Sequence, residues 1–468
     1  MAQQKLKGKD LRKIKYSSNQ VISQMLDVLA KHYKYSSVDE QLSLVLKIKS
    51  EYENFLEDEL WADIAQSFVP QLELSSKEEI KLLRDNQAFN VYGRKHISSN
   101  AFQQMELAMR LPITVKGALM PDAHQGYGLP IGGVLATKNA VIPYGVGVDI
   151  GCRMALSIFD EKESFLDRYA YQIKQSLKTM TNFGTGGELG FSQEHEVLDR
   201  AEFNATELLR RLQGKAAKQL GSSGSGNHFV EFGIVQMYEG NDLHLPAGEY
   251  VGLLSHSGSR GMGATVAKYY TELAKQSCLL PRQAGHLAWL DMASEAGQEY
   301  WLSMNLAGDY AKACHDRIHI NLMKDLGLKS IAKVENHHNF AWKQKDVNGE
   351  ELIVHRKGAT PAAKGELGII PGSMTAAGYI VSGKGSEGSL LSASHGAGRR
   401  LSRKASKDSI TGSEMKKILK REMVSLIGGG CDEAPIAYKD IDEVMLHQTE
   451  LVDVIGKFQP RIVRMDKN

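Results

Sequence analysis

The chain has 468 residues, 57 Lys+Arg against 55 Asp+Glu (net charge +2), 42% hydrophobic and 24% charged residues. That balance is ordinary for a globular protein, so a wholly disordered chain is excluded and any nucleic-acid site must be local. No run approaches 18 apolar residues, no apolar run follows the basic N-terminus, and the four cysteines are too scattered for a disulfide framework; a cytoplasmic protein with reduced thiols, no membrane span and no secretory signal is expected.

Residues 1–85 are predicted as a helical extension. Val21, Met25, Val28 and Leu29 fall at helical spacing, as do Leu42, Val45 and Leu46, and Ser36-Ser37-Val38-Asp39-Glu40 reads as a helix start. His32, among Lys31, Tyr33 and Lys34, reads as a solvated surface residue. From residue 86 the texture changes. Short β-branched runs at 132–137, 250–254 and 379–382 read as buried strands, and 193–219, 261–278, 282–325 and 413–425 read as helices. The expectation is a mixed α/β (α+β) fold with one large core over 86–468. The 45 glycines cluster beside polar residues, as loops at strand ends would.

Five clusters carry chemistry. Asp149 and Cys152, three apart across Gly151, suit a borderline divalent metal, although so short a pair also arises by chance. Gly221–Gly226 leads through Asn227 to His228; this is either a loop whose N–H groups meet an anion or a flexible hairpin with a core histidine. Ser255-His256-Ser257-Gly258-Ser259-Arg260 ends a strand, giving a metal ligand and a phosphate clamp, or else a polar turn with a solvated arginine. In Glu335-Asn336-His337-His338-Asn339 the paired histidines face opposite ways, so one of them, His338 by preference, enters a site. Small residues surround His395 in Ser394-His395-Gly396-Ala397-Gly398, and Arg399, Arg400, Arg403, Lys404 and Lys407 follow. That run fits a polyanion or a solvated helix face.

Asp149, Cys152, His228, His256 and His338 suffice for two metals bridged by the thiolate, which suits in-line displacement at phosphorus and leaves His395 as a nucleophile. The Gly383–Gly388 G-x-G-x-x-G lacks a clear following helix, and His315 and His319 lack the Glu of H-E-x-x-H; both are set aside, the histidines as surface or packing residues.

Met120–Gly128, Val148–Cys152, Gly226–Phe229, Ser255–Gly261, His355–Thr360, Pro371–Met374, Ser394–Arg399 and Asp432–Asp440 together resemble the RtcB family of RNA-splicing ligases, over residues 86–468. The resemblance implies an RtcB-like catalytic domain that uses GTP and two Mn²⁺ to join RNA 2′,3′-cyclic-phosphate or 3′-phosphate ends to 5′-hydroxyl ends, in tRNA splicing or RNA repair. It implies guanylylation of His395. One Mn²⁺ falls to Asp149, Cys152 and His228, the other to Cys152, His256 and His338. Nucleotide contacts fall on Asn227, His228, Phe229, Val230, Glu231, His338, Asn339, Pro371, Gly372, Ser373, Met374, His395, Gly396, Ala397 and Gly398. Arg260, Arg399 and Arg403 match arginines near the reacting phosphates, and Asp122 an acid near the metals.

Three positions depart from the pattern. Arg153 follows Cys152 where the family has Gly, with access to the metals at stake. Gly378 replaces a serine that contacts the nucleotide, and Lys467 is a shifted counterpart of a C-terminal lysine. The sequence leaves open an activating protein partner. It also leaves open a 3′-end capping enzyme or cyclic phosphodiesterase that does not seal, and a metal-stabilised RNA-binding protein without turnover.

Overall fold

The computed structural model describes residues 6–14, 19–55, 58, 60–66 and 79–466. The chain divides into two compact units, residues 1–78 and 79–468.

In the first unit, helices Asn19–His32 and Val38–Ser50 close over a core of Leu11, Met25, Leu29, Val45, Ile48, Trp61 and Ile64. Ser37 caps the second helix: its Oγ accepts from Glu40 N–H at 3.2 Å, while the Glu40 carboxylate accepts from Ser37 N–H at 2.7 Å. Leu46, read as part of the apolar stripe, is instead 44% exposed, and Ile48 is the buried residue of that turn. His32 is exposed, as expected.

The second unit is built on two sheets. One is five-stranded, in the order Asn90–Val91, Thr114–His124, Ile131–Thr137, Glu351–Lys357, Asn339–Lys345. The other is eight-stranded and runs Leu367–Ile370, Gly378–Gly383, Val452–Met465, Phe229–Met237, Gly248–Ser257, Arg153–Phe159, Ser330–His337, with Ser425–Ile427 beside Val452–Met465. Helices Glu207–Gln219, Arg260–Ser277 and the 32-residue Glu295–Leu326 complete the core. The last is buried along most of its length, through Tyr300, Met304, Ala307, Tyr310, Cys314, Ile318 and Leu322.

Three predicted helices are shorter than expected. Residues 193–206 hold only the 3-10 turns Glu196–Asp199 and Ala201–Asn204, and 282–294 a 3-10 turn with the short strand Leu290–Asp291. Apolar spacing extended both readings past caps it cannot detect. Thr206 Oγ1 accepts from Leu209 N–H at 3.1 Å, and Ser294 Oγ from Gly297 N–H at 3.1 Å, so the helices begin there. Helix Gly412–Arg421 stops before 425, and Met423 turns the chain at φ +54° toward the strand Ser425–Ile427.

The eight-stranded sheet positions the chemistry. In its register Arg153 pairs with Ser257 and with His337, and Phe229 with His256. Cys152, His228 and His338 each lie one residue beyond these strands, so three strand ends and His256 converge at one end of the sheet. No described helix is long and apolar enough to cross a membrane.

Candidate functional site

Cys152 Sγ stands 3.4 Å from His228 Nε2 and 3.1 Å from His256 Nε2. His256 Nε2 lies 3.2 Å from His338 Nε2, and Asp149 Oδ2 3.0 Å from His228 Nε2. Thus the five residues expected as metal ligands are adjacent. The tautomer of His256 follows from its neighbour. Nδ1 lies 3.2 Å from Asn227 O, a carbonyl that only accepts, so Nδ1 carries the hydrogen and Nε2 keeps its lone pair toward Cys152. Burial pushes His256 down to about 3 and His338 well below the ordinary imidazole value, so both are neutral. Burial also pushes the Cys152 thiol well up, as expected of a group that ionises only against a cation.

One thiol, three imidazoles and a carboxylate fit a borderline divalent ion better than Mg²⁺. The group is also open on one side. The Asp149 side chain is 32% exposed, and His256 and His338 line a cavity of about 1160 Å³. An open position distinguishes a catalytic from a structural metal site.

His395 lines the same cavity, its ring 5.0 Å from that of His338. Its Nδ1–H donates to Asp122 Oδ2 at 2.6 Å, and its backbone N–H to the same oxygen at 3.2 Å. Burial opposes the charge on Asp122, but the charge and hydrogen bond of His395, with Lys439 nearby, outweigh it and hold the carboxyl below its usual range. A carboxylate only accepts, so Nδ1 carries a hydrogen, and in the neutral ring Nε2 keeps the lone pair. Gly398, at φ +73°, closes this loop: a Cβ there would fall 2.1 Å from Asp122 O.

The expected cations divide. Arg399 and Arg403 line the cavity, held by acids: Arg399 Nη1 lies 2.7 Å from Glu433 Oε2, and Arg403 pairs with Glu433 and, at 3.2 Å, with Asp432. Lys407 is exposed and outside the lining. Arg260 is neither solvated nor at the cavity. It is 8% exposed, at φ +56°, and donates from Nε to Ser222 Oγ at 3.0 Å and from Nη2 to Gly184 O.

Of the expected nucleotide contacts, Asn227, Phe229, Glu231, Pro371, Gly372, Ser373, Met374, Gly378, Gly396, Ala397 and Gly398 line the cavity. Val230 does not: strand alternation sends it to the core with Phe232 and Leu253. Asn339 is occupied, donating from Nδ2 to Asp149 O at 3.3 Å and accepting from Gly358 N–H at 2.8 Å. Lys467 lies outside the described residues. A Cβ at Gly378 would meet Pro371 Cα at 3.3 Å. Arg153 is buried, with its Nη2 3.3 Å from His337 Nδ1.

Two features went unread in the sequence. Lys439 Nζ donates to Pro121 O and Ala123 O at 3.1 and 2.7 Å, which steadies the segment carrying Asp122; its motif was visible but its partners were not. The other is a buried chain behind the metal donors. His315 Nε2 faces Ser257 O at 3.2 Å, and Ser255 Oγ lies 2.6 Å from His315 Nδ1 and 2.7 Å from His319 Nε2. His319 Nδ1 faces Ser157 Oγ at 2.8 Å. The carbonyl fixes every proton: His315 Nε2–H donates to it, Ser255 O–H to His315, His319 Nε2–H to Ser255, and Ser157 O–H to His319. Burial keeps both imidazoles neutral, His319 at about 3. These histidines are packing residues, as read, but polar ones that tie the long helix to the two strands carrying Cys152 and His256. Ser255→Ala would strand one buried donor and one buried acceptor, a cost on the order of 2–5 kcal/mol. A marked fall in melting temperature is expected, and an unchanged melting curve would refute the chain.

A family model described as tRNA-splicing ligase RtcB matches residues 104–205 and 179–466. The chain is 33% identical over 393 residues to the RNA-splicing ligase RtcB of Escherichia coli K12, covering 77% of this chain and 92% of that protein. It is 32% identical over 431 residues to the tRNA-splicing ligase RtcB of Nanoarchaeum equitans (75% and 88% covered). Against that of Thermococcus kodakarensis it is 29% identical over 436 residues (76% and 89%).

Proposed function

The chain belongs to the RtcB family of tRNA-splicing ligases, and from that premise we propose that it joins RNA 2′,3′-cyclic-phosphate or 3′-phosphate ends to 5′-hydroxyl ends with GTP, through a guanylylated His395. The observation that carries this reading is the His395–Asp122 pair beside the metal-ligand cluster.

His395 Nε2 attacks the α-phosphorus of GTP. The N–P bond forms as the α–β anhydride bond breaks, and pyrophosphate leaves. The proton stays on Nδ1, and the Asp122 carboxylate that accepts from it offsets the positive charge that develops on the ring. The N–P bond then breaks as an RNA 3′-phosphate oxygen takes the GMP. The RNA 5′-hydroxyl attacks that activated phosphate, loses its proton and expels GMP. A cyclic end is first opened by water. Two Mn²⁺, one at Asp149, Cys152 and His228 and the other at Cys152, His256 and His338, would supply charge neutralisation at phosphorus. Arg399 and Arg403, aimed by Glu433 and Asp432, are the cations for the reacting phosphates. Arg260 would brace the 221–228 loop through Ser222 rather than meet a phosphate.

GTP labelled at the α-phosphate, with Mn²⁺, should leave an acid-labile, hydroxylamine-sensitive label on the protein, and γ-labelled GTP none. RNA with the stated ends should then be joined. A chain that takes no label and joins no ends would overturn the proposal.

Glu231 supports guanine as the base. Its side chain is buried in the lining of the cavity, which Phe229, Met374 and Phe458 share, and burial pushes its carboxyl well above the usual range. Guanine N1–H and N2–H₂ are donors that favour a carboxylate, so binding would release the proton. GTP affinity should therefore rise about tenfold per pH unit until the pH passes the empty-site value, then level off. A Glu231→Gln variant that kept this slope would exclude Glu231 as its source.

A further inference from the structure

The turn 125–128 plays no part in the steps above. Tyr127 is 69% exposed, yet its backbone is held from three directions. The Gln104 side chain accepts from Gly126 N–H at 3.0 Å and donates to Gly126 O at 2.7 Å. Lys357 Nζ donates to Tyr127 O and, at 3.2 Å, to Tyr144 O, and Lys357 is the register partner of Asn339 beside His338. Gly128, at φ +69°, lets the turn close on its far side, where a Cβ would lie 3.1 Å from His286 O.

A ring this exposed, on backbone this constrained, serves no core. Tyr127 meets His286 edge-on at 6.1 Å between centroids, and His286 stacks on Tyr144 at 4.9 Å. The phenol belongs to the cavity that holds His395, and the exposed Lys95, His96 and Asn100 line the same cavity. An aromatic ring already fixed in place loses little freedom on stacking, and every nucleobase offers it a π-face. Lys95, a cation on the same cavity, suits a connecting phosphate.

We propose that Tyr127 is a stacking platform for an unpaired nucleobase of the RNA at the break, which holds the end so that its terminal group enters the cavity. The inference deepens the ligase reading and rests on RNA being the substrate.

The test is equilibrium binding of short RNAs to the full chain in chelator, where no chemistry occurs. The probe is 2-aminopurine at the terminal nucleotide of either a 3′-phosphate strand or a 5′-hydroxyl strand; the arm that responds identifies which end is held. Wild type should quench the probe in that arm. Tyr127→Ala should abolish the quench and weaken binding about 5- to 150-fold, the range of one base stack. Tyr127→Phe should retain both, and Tyr127→Leu should behave like alanine, since it keeps bulk without a π-face. Unchanged quench and affinity in alanine would overturn the platform, as would leucine matching phenylalanine. The two readings fail separately. A chain that stacks RNA but takes no label from GTP overturns the ligase mechanism alone, whereas Tyr127→Ala joining ends at the wild-type KM overturns the platform alone.

Discussion

Replacing His395 with alanine is expected to remove the label that GTP leaves on the protein, to below about one-thousandth of the wild-type rate, and RNA joining with it. The metal donors should survive, because Cys152, His228, His256 and His338 meet one another through atoms His395 does not touch. The informative control is His124, the rival imidazole of the cavity. It is neutral, pushed down to about 4 by burial, and its Nδ1 faces Asp122 O at 3.1 Å, so its Nε2 carries a lone pair. The two rings differ in what stands behind them. His124 donates to a carbonyl, whereas His395 donates to a carboxylate, which offsets the cationic ring that attack on phosphorus creates. His124→Ala should therefore label within about tenfold of wild type. A label that survives His395→Ala and disappears in His124→Ala would move the nucleophile to residue 124.

The same pair shows what a linear reading reaches. Each proposed metal ligand was legible because its neighbours are unusual: a glycine between Asp149 and Cys152, a glycine-serine loop before His228, a strand end at His256, a doubled histidine at 337 and 338. Strand alternation allowed only one of the pair into the site, Asn339 beside it favoured His338, and His337 does turn away, onto Phe340 and Trp342. What local pattern cannot supply is partnership across the chain. Asp122 and His395 are 273 residues apart, and nothing near either says that one fixes the tautomer of the other. Arg260 shows the same limit: a cation in a glycine-rich loop reads as a phosphate clamp, and nothing local says that Ser222 and Gly184 take two of its donors. Helix lengths erred where apolar spacing ran on past Thr206 and Ser294, because a cap is a hydrogen bond and leaves no mark in hydropathy.

Asp122→Asn tests whether that distant partnership is chemical or merely structural. The change keeps volume and removes charge. If the amide oxygen takes the place of Oδ2, the ring keeps its tautomer, but the new NH₂ falls where Oδ1 is buried without a partner, and no anion offsets the charge on attack. If the NH₂ faces the ring instead, Nδ1 must accept, the proton moves to Nε2, and the nucleophilic lone pair is lost. Both arrangements slow labelling, by about 10² to 10⁴-fold; the upper figure is that of the same substitution behind the histidine of serine proteases. The loss should persist across the neutral range. The Asp122 carboxyl is held below its usual value, so it stays an anion across the neutral range. Asp122→Glu, which restores the charge at a longer reach, should recover part of the rate. Labelling by Asp122→Asn within tenfold of wild type at neutral pH would reduce Asp122 to a residue that shapes the loop, and the nucleophile would then owe its reactivity to the metals alone.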